Sequence, residues 1–156
     1  MTEYEKMLDT ANKNNIAVYE NYDFSGTRIK GLYCDGFIAL SKDLLTDSEK
    51  KCVLAEEIGH HLTSSGNILN MNTAVNRKQE RHARMWAYRY ALDLSDFITA
   101  YKNGCQNRYE IAEFLSVTEE FLLDAIESYK HQYGMYTKFD RYIIYFEPLG
   151  VLELNI

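Results

Sequence analysis

The run from Thr46 to Thr63, TDSEKKCVLAEEIGHHLT, restricts this chain more than any other stretch. Thr46 followed by Glu49 is a Thr-x-x-Glu capping box, in which two side chains satisfy main-chain N–H groups that a helix start leaves without partners. The spacing predicts a helix over this run, held at its start by cap interactions worth roughly 1 kcal/mol. Leu54, Ile58 and Leu62 recur every fourth residue and give that helix an apolar back. Gly59, unfavourable in mid-helix by roughly 1 kcal/mol relative to Ala, suggests that another backbone comes close there.

The other side of the same helix carries chemistry. Glu56, Glu57 and His60 have the spacing of the H-E-x-x-H metal motif, with Glu in place of the first His. Positions i and i+4 lie one above the other on a helix, so Glu56 and His60 can face one metal ion. Glu57, about 100° round, would reach water beside that ion and act as a base. A Glu-Glu-x-x-His run alone is commonplace on solvated helix faces, so the motif needs a third donor elsewhere. Glu80, in NRKQERHARMWAYRYA, is the candidate, on a second helix that Asn76 would cap with Gln79 returning the bond. Ala83, Arg84 and Ala87 share its face, and the two alanines permit a close helix approach. Two carboxylates and one imidazole suit a divalent cation; zinc is the expected ion, with manganese or iron as alternatives because carboxylate donors shift preference towards them. His61 and His82 do not fit the same geometry, and the commoner reading of each is a partly buried or solvated side chain.

With 156 residues, 46% apolar and 26% charged, the chain has enough apolar sequence for a sizeable core. A formal charge of −6 leaves no basic footprint for general nucleic-acid binding, so proteins are the expected partners. Cys34, Cys52 and Cys105 form no C-x-x-C pair, no stretch reaches the eighteen or more apolar residues of a membrane span, and no apolar signal segment is evident. A reducing cytoplasm is the expected compartment.

Before the motif, Tyr4, Met7, Leu8 and Ala11 predict an amphipathic helix over residues 2–13. Three short β-prone runs follow at residues 16–19, 29–34 and 37–41, the last two joined by a Cys-Asp-Gly turn, which predicts a small antiparallel sheet. Residues 64–74 read as a polar connector. Beyond the Glu80 helix, Ser95 is expected to cap a short helix ending near Gly104, and Ser116 with Glu119 to box the start of another. Ile111, Ala112, Leu115, Val117, Leu122 and Ile126 have the apolar skeleton of a helix-turn-helix. Its second helix carries Glu119, Glu120, Asp124 and Glu127 with no Arg or Lys before Lys130, which argues against its facing phosphates. A strand-like run, residues 142–146, precedes the only proline, Pro148.

LAEEIGHH, the two-helix arrangement and KQERHARMWA with its Glu resemble the ImmA/IrrE family of metallopeptidases of phages and mobile elements, over nearly the whole chain. The family pattern carries His where this chain has Glu56. The resemblance implies an α+β, zincin-like fold, mostly helical, with the small sheet ahead of the motif helix and a helical unit at the carboxy-terminal end. It implies a metallopeptidase-like core over residues 1–104 and a helical unit with a terminal strand over residues 105–156, packed as one compact domain. It further implies a cytoplasmic metallo-endopeptidase that cleaves a co-encoded helix-turn-helix repressor, with Glu56, His60 and Glu80 on the metal, Glu57 as base, and an edge strand holding the substrate backbone by strand addition. The alternative is an adaptor that binds such a repressor without cutting it. Neither reading involves direct contact with nucleic acid or a membrane.

Overall fold

The computed structural model describes residues 1–63 and 74–155. The architecture is α+β, as expected, and the chain divides into two compact units, residues 1–87 and 88–156. The division falls within a helix, whereas the sequence reading drew its boundary at 104/105.

The first unit opens with α1 (Glu3–Lys13), capped by Thr2 in a full capping box with Glu5. Tyr4, Met7 and Ala11 form its buried face. Strands β1 (Ala17–Tyr22), β2 (Gly31–Cys34) and β3 (Phe37–Ser41) make one sheet in the order β1-β3-β2. The β2–β3 hairpin is antiparallel and turns through Asp35 and Gly36, both at positive φ (48° and 86°), the conformation in which Asp-Gly matches the strand twist. The expected antiparallel sheet is, however, mixed: β1 runs parallel to β3. The hairpin was legible because its turn is local, while the direction of β1 depends on a partner reached only after the whole hairpin.

Helix α2 (Asp47–Thr63) is the motif helix and packs on β2, β3 and α1. Its Leu54, Ala55 and Ile58 are fully buried, as are Ile38 and, nearly so, Leu40 of β3. Leu62 departs from the expected apolar back, being 43% exposed at the last turn. Helix α3 (Ala74–Ala91) begins before Asn76, so Asn76 lies inside it and is not its cap. The expected polar connector lies outside the described residues except for Ala74.

In the second unit, α4 (Leu94–Lys102) is capped by Asp93 in a box with Asp96, so Ser95 sits inside the first turn. Helix α5 (Arg108–Phe114) is capped by Asn107, and α6 (Glu119–Tyr133) by Thr118, whose side chain accepts from Phe121 N–H. Ser116, at φ 56°, belongs to the turn instead of the cap. The expected apolar skeleton is the core here, with Ala112, Val117, Leu122 and Ile126 buried. The run at residues 142–146 is β5 (Tyr142–Phe146), which lies between β4 (Tyr136–Phe139) and β6 (Leu149–Glu153) in an antiparallel sheet. Its burial alternates, with Tyr142, Ile144 and Phe146 inward. The two flanking strands could not be read from the chain because their residues are exposed or half-buried and carry no strong alternation. Among the described residues no helix is long and apolar enough to cross a membrane.

Candidate metal centre and its base

The site is assembled by α2, β2 and the part of α3 ahead of Tyr88, which belongs to the first unit. Thr46 caps α2, its hydroxyl accepting from Glu49 N–H at 3.1 Å, while the Glu49 carboxylate reaches back to Leu45 N–H at 3.3 Å. This fixes the rotation of the helix start and so which residues face α3.

Gly59 then allows the two helices to meet. A Cβ built there would lie 2.4 Å from the carbonyl oxygen of Ala83, so the backbone of α3 occupies the space a side chain would need. Ala83 and Ala87 are fully buried. That approach brings His60 Nε2 to 3.2 Å from Glu80 Oε2, with both side chains largely buried. The other oxygen of Glu80 lies 3.7 Å from Arg84 Nη1, one turn further along α3.

Glu57 stands beside β2. A Cβ on Gly31 would lie 2.5 Å from Val53 Cγ1 and 3.2 Å from Glu57 Cγ, so only glycine leaves room for these two side chains. Burial, with the charges of Glu56 and Glu80 adding to it, pushes the Glu57 carboxyl up to about 8, against a smaller opposing pull from the Tyr33 main-chain N–H. Burial likewise holds the His60 imidazole below its ordinary range; Glu80 opposes this and Arg84 reinforces it. Metal-free, the site therefore favours a proton on Glu57 and a neutral imidazole on His60 near neutral pH.

His61 has a different task. The Tyr33 hydroxyl accepts from Gly36 N–H at 3.1 Å and lies 2.7 Å from His61 Nδ1, so its proton is available to that nitrogen. The two rings meet edge to face. His61 thus ties α2 to the hairpin, in line with its reading as a structural side chain, and His82 is exposed on α3.

Two donors fit a metal ion. Ligands at roughly 2.0–2.2 Å on a tetrahedral ion stand about 3.3 Å apart, close to the His60–Glu80 separation, and a cation there would offset the crowded carboxylates that raise Glu57. Glu56, half-buried, would join His60 and Glu80 by its motif spacing alone: the described residues contain no group of three or more His, Cys, Asp and Glu arranged to hold a metal. Among the described residues His60 Nδ1 is buried without a hydrogen-bond partner, although a ligating histidine ordinarily donates through its second nitrogen. Gly31, Tyr33 and Arg84 were not assigned roles from the sequence. The first two lie far from the motif in the chain, and only the i+4 spacing of Arg84 from Glu80 could have pointed to the third.

A Glu-x-x-His turn with its histidine buried, packed against a second helix that supplies a carboxylate, behind a small sheet, defines a metallopeptidase-like domain of zincin type. The chain belongs to the Peptidase_M78 family, whose IrrE N-terminal-like domain matches residues 11–127. That stretch contains α2, α3 and every residue of the site, and it ends within α6, ahead of the β4-β5-β6 sheet. No curated protein and no solved structure matches the chain.

Proposed function

We propose that this protein is a metallo-endopeptidase whose substrate is a helix-turn-helix transcriptional repressor encoded beside it on a phage or mobile element. The observation that carries the reading is the convergence of His60 Nε2 and Glu80 Oε2 at 3.2 Å with the half-buried Glu57 carboxyl alongside. Glu56, His60 and Glu80 would hold the ion, with zinc the first expectation and manganese or iron the alternatives. Bound there, a divalent ion supplies Lewis acidity to the scissile carbonyl and lowers the pKa of water. The same positive charge brings Glu57 back towards its ordinary range, so that its carboxylate can take the proton of the attacking water and later deliver it to the departing nitrogen.

Strand β2 supports the substrate-binding half of this reading. It is an edge of its sheet. Ser41 N–H donates to Lys30 C=O at 2.8 Å, and antiparallel alternation then turns the main-chain groups of Gly31 and the Tyr33 C=O away from β3, towards a strand that would add at that edge, while the outward Tyr33 N–H is held by Glu57. The second unit, with its acidic α6, is assigned to docking on protein and not on DNA.

A second reading has its own support. The lack of a three-donor group among the described residues, and the unpartnered Nδ1 of His60, favour an adaptor that binds the repressor without cutting it. A cleavage time course on the neighbouring gene's repressor, with zinc, manganese or iron supplied in turn, separates the two. Wild type should cut, and Glu57→Gln should bind the repressor equally and leave it intact. Equal binding with no cleavage by either protein under all three metals would give the site to the adaptor.

A further inference from the structure

Arg84 stands beside the His60–Glu80 pair, and its contact there is a long one. Its Nη1 lies 3.7 Å from Glu80 Oε1, beyond hydrogen-bond length, and its side chain is 45% exposed. A half-exposed i,i+4 pair of this kind contributes little to stability, so the guanidinium is not consumed in fixing Glu80. Nor does it help to hold an ion, because a positive charge next to a cation site opposes cation binding. What a guanidinium gains from at this position is an oxygen that becomes negative during the reaction.

We propose that Arg84 is a catalytic residue, its N–H groups donating to the carbonyl oxygen of the peptide bond under attack. The inference rests on the hydrolytic reading above. As the oxygen of water bonds to the carbonyl carbon, its proton passes to the Glu57 carboxylate and the π pair of the C=O bond moves onto the carbonyl oxygen, which Arg84 holds. The pair then returns to re-form the C=O bond as the C–N bond breaks, and Glu57 delivers its proton to the departing nitrogen. The contact with Arg84 strengthens as the charge develops, so it belongs to the transition state more than to the bound substrate.

The test compares wild type, Arg84→Met and Arg84→Lys in the full chain, each prepared metal-free. Each is titrated by calorimetry with zinc, then with a phosphinic pseudopeptide carrying –PO2⁻–CH2– in place of one amide, and with the parent amide. Arg84→Met keeps the aliphatic stem, so the fold should persist, as checked by circular dichroism. The expected result is unchanged or tighter zinc binding, at least about a 10-fold loss of phosphinate affinity, and an unchanged affinity for the parent amide, with Arg84→Lys recovering part of the loss. Weaker zinc binding by Arg84→Met would mean that the residue acts through Glu80 and would overturn the proposal. So would equal phosphinate affinity in wild type and Arg84→Met, or a wild type that binds the phosphinate no better than the amide. On a cleaved repressor, kcat should fall about 10²–10³-fold in Arg84→Met with KM little changed. A wild type that cuts while Arg84→Met binds phosphinate normally removes this role alone and leaves the peptidase reading standing.

Discussion

Gly59 of α2 and Ala83 of α3 meet backbone to backbone: a methyl group on Gly59 would come within 2.4 Å of the Ala83 carbonyl oxygen and 3.2 Å of its Cα. The obstacle is main chain, so it cannot rotate away. Gly59→Ala gains about 1 kcal/mol in helix propensity and loses more than it gains, because overpacking against a fixed neighbour costs about 1–3 kcal/mol. The substitution should lower the melting temperature and push α3 outward, separating His60 from Glu80. A thermal melt and a zinc titration check both effects, and a variant as stable and as tight for zinc as wild type would refute the close approach.

Ligand removal at His60 should be the most damaging single change to metal binding, since the imidazole is one of the two donors the structure brings together. Purified His60→Ala should contain no stoichiometric metal by elemental analysis. Glu57→Gln should keep its metal and lose about 10²–10⁴-fold in hydrolysis, the usual contribution of a general base. Glu56→His tests the remaining donor: it should tighten zinc binding and move cleavage to lower pH. Zinc affinity unaltered by that change would remove Glu56 from the donor set.

The raised carboxyl of Glu57 makes metal-free stability depend on pH with a definite sign. Its folded value of about 8 lies above the ordinary 4.5, so the folded state holds a proton that the unfolded chain has released between those limits. Stability from this group is complete below about 4.5 and is lost as pH rises through 8, by a few kcal/mol at about 1.4 kcal/mol per pKa unit. Urea titrations of the metal-free protein at pH 5 and pH 8.5 should show this fall, and Glu57→Gln should flatten it. Metal binding at pH 7 should release about one proton, seen as a dependence of the calorimetric heat on the buffer's ionisation enthalpy.

In the second unit, Tyr129 is 2% exposed and its hydroxyl donates to the Leu92 carbonyl at 2.8 Å. Its ring stacks on Tyr133 and Phe146. Tyr129→Phe leaves the stacking but strands a buried carbonyl, and should cost about 1–3 kcal/mol in chemical denaturation without altering zinc affinity.

Exposed Glu119, Glu120, Asp124 and Glu127 on α6 predict the absence of tight duplex binding. A mobility-shift assay at low salt should show free DNA up to micromolar protein. A salt-dependent shift below that would restore a nucleic-acid role to α5 and α6.

The chemical identity of the site could be read from the chain because it is written in local spacing. Thr46 and Glu49 start a helix whatever surrounds them, and residues 56, 57 and 60 must then share a turn. The Asp35-Gly36 turn dictated a hairpin for the same reason, and the apolar skeleton of residues 111–126 was legible from its helical period. Glu80 follows from the need for a third donor on a second helix, and the resemblance adds to it, although no local rule ties it to His60. What only the tertiary structure decided are relations between residues distant in the chain: the parallel pairing of β1 with β3, the contact of Gly59 with Ala83, the space Gly31 leaves for Glu57, and the placing of Arg84 beside the His60–Glu80 pair. Ser95 and Ser116 failed as caps because Asp93 and Thr118, two residues earlier and two later, compete for the same role, and packing selects the helix start. The elevation of Glu57 likewise has no sequence signature, since burial and the approach of Glu80 exist only once α2, α3 and β2 have come together.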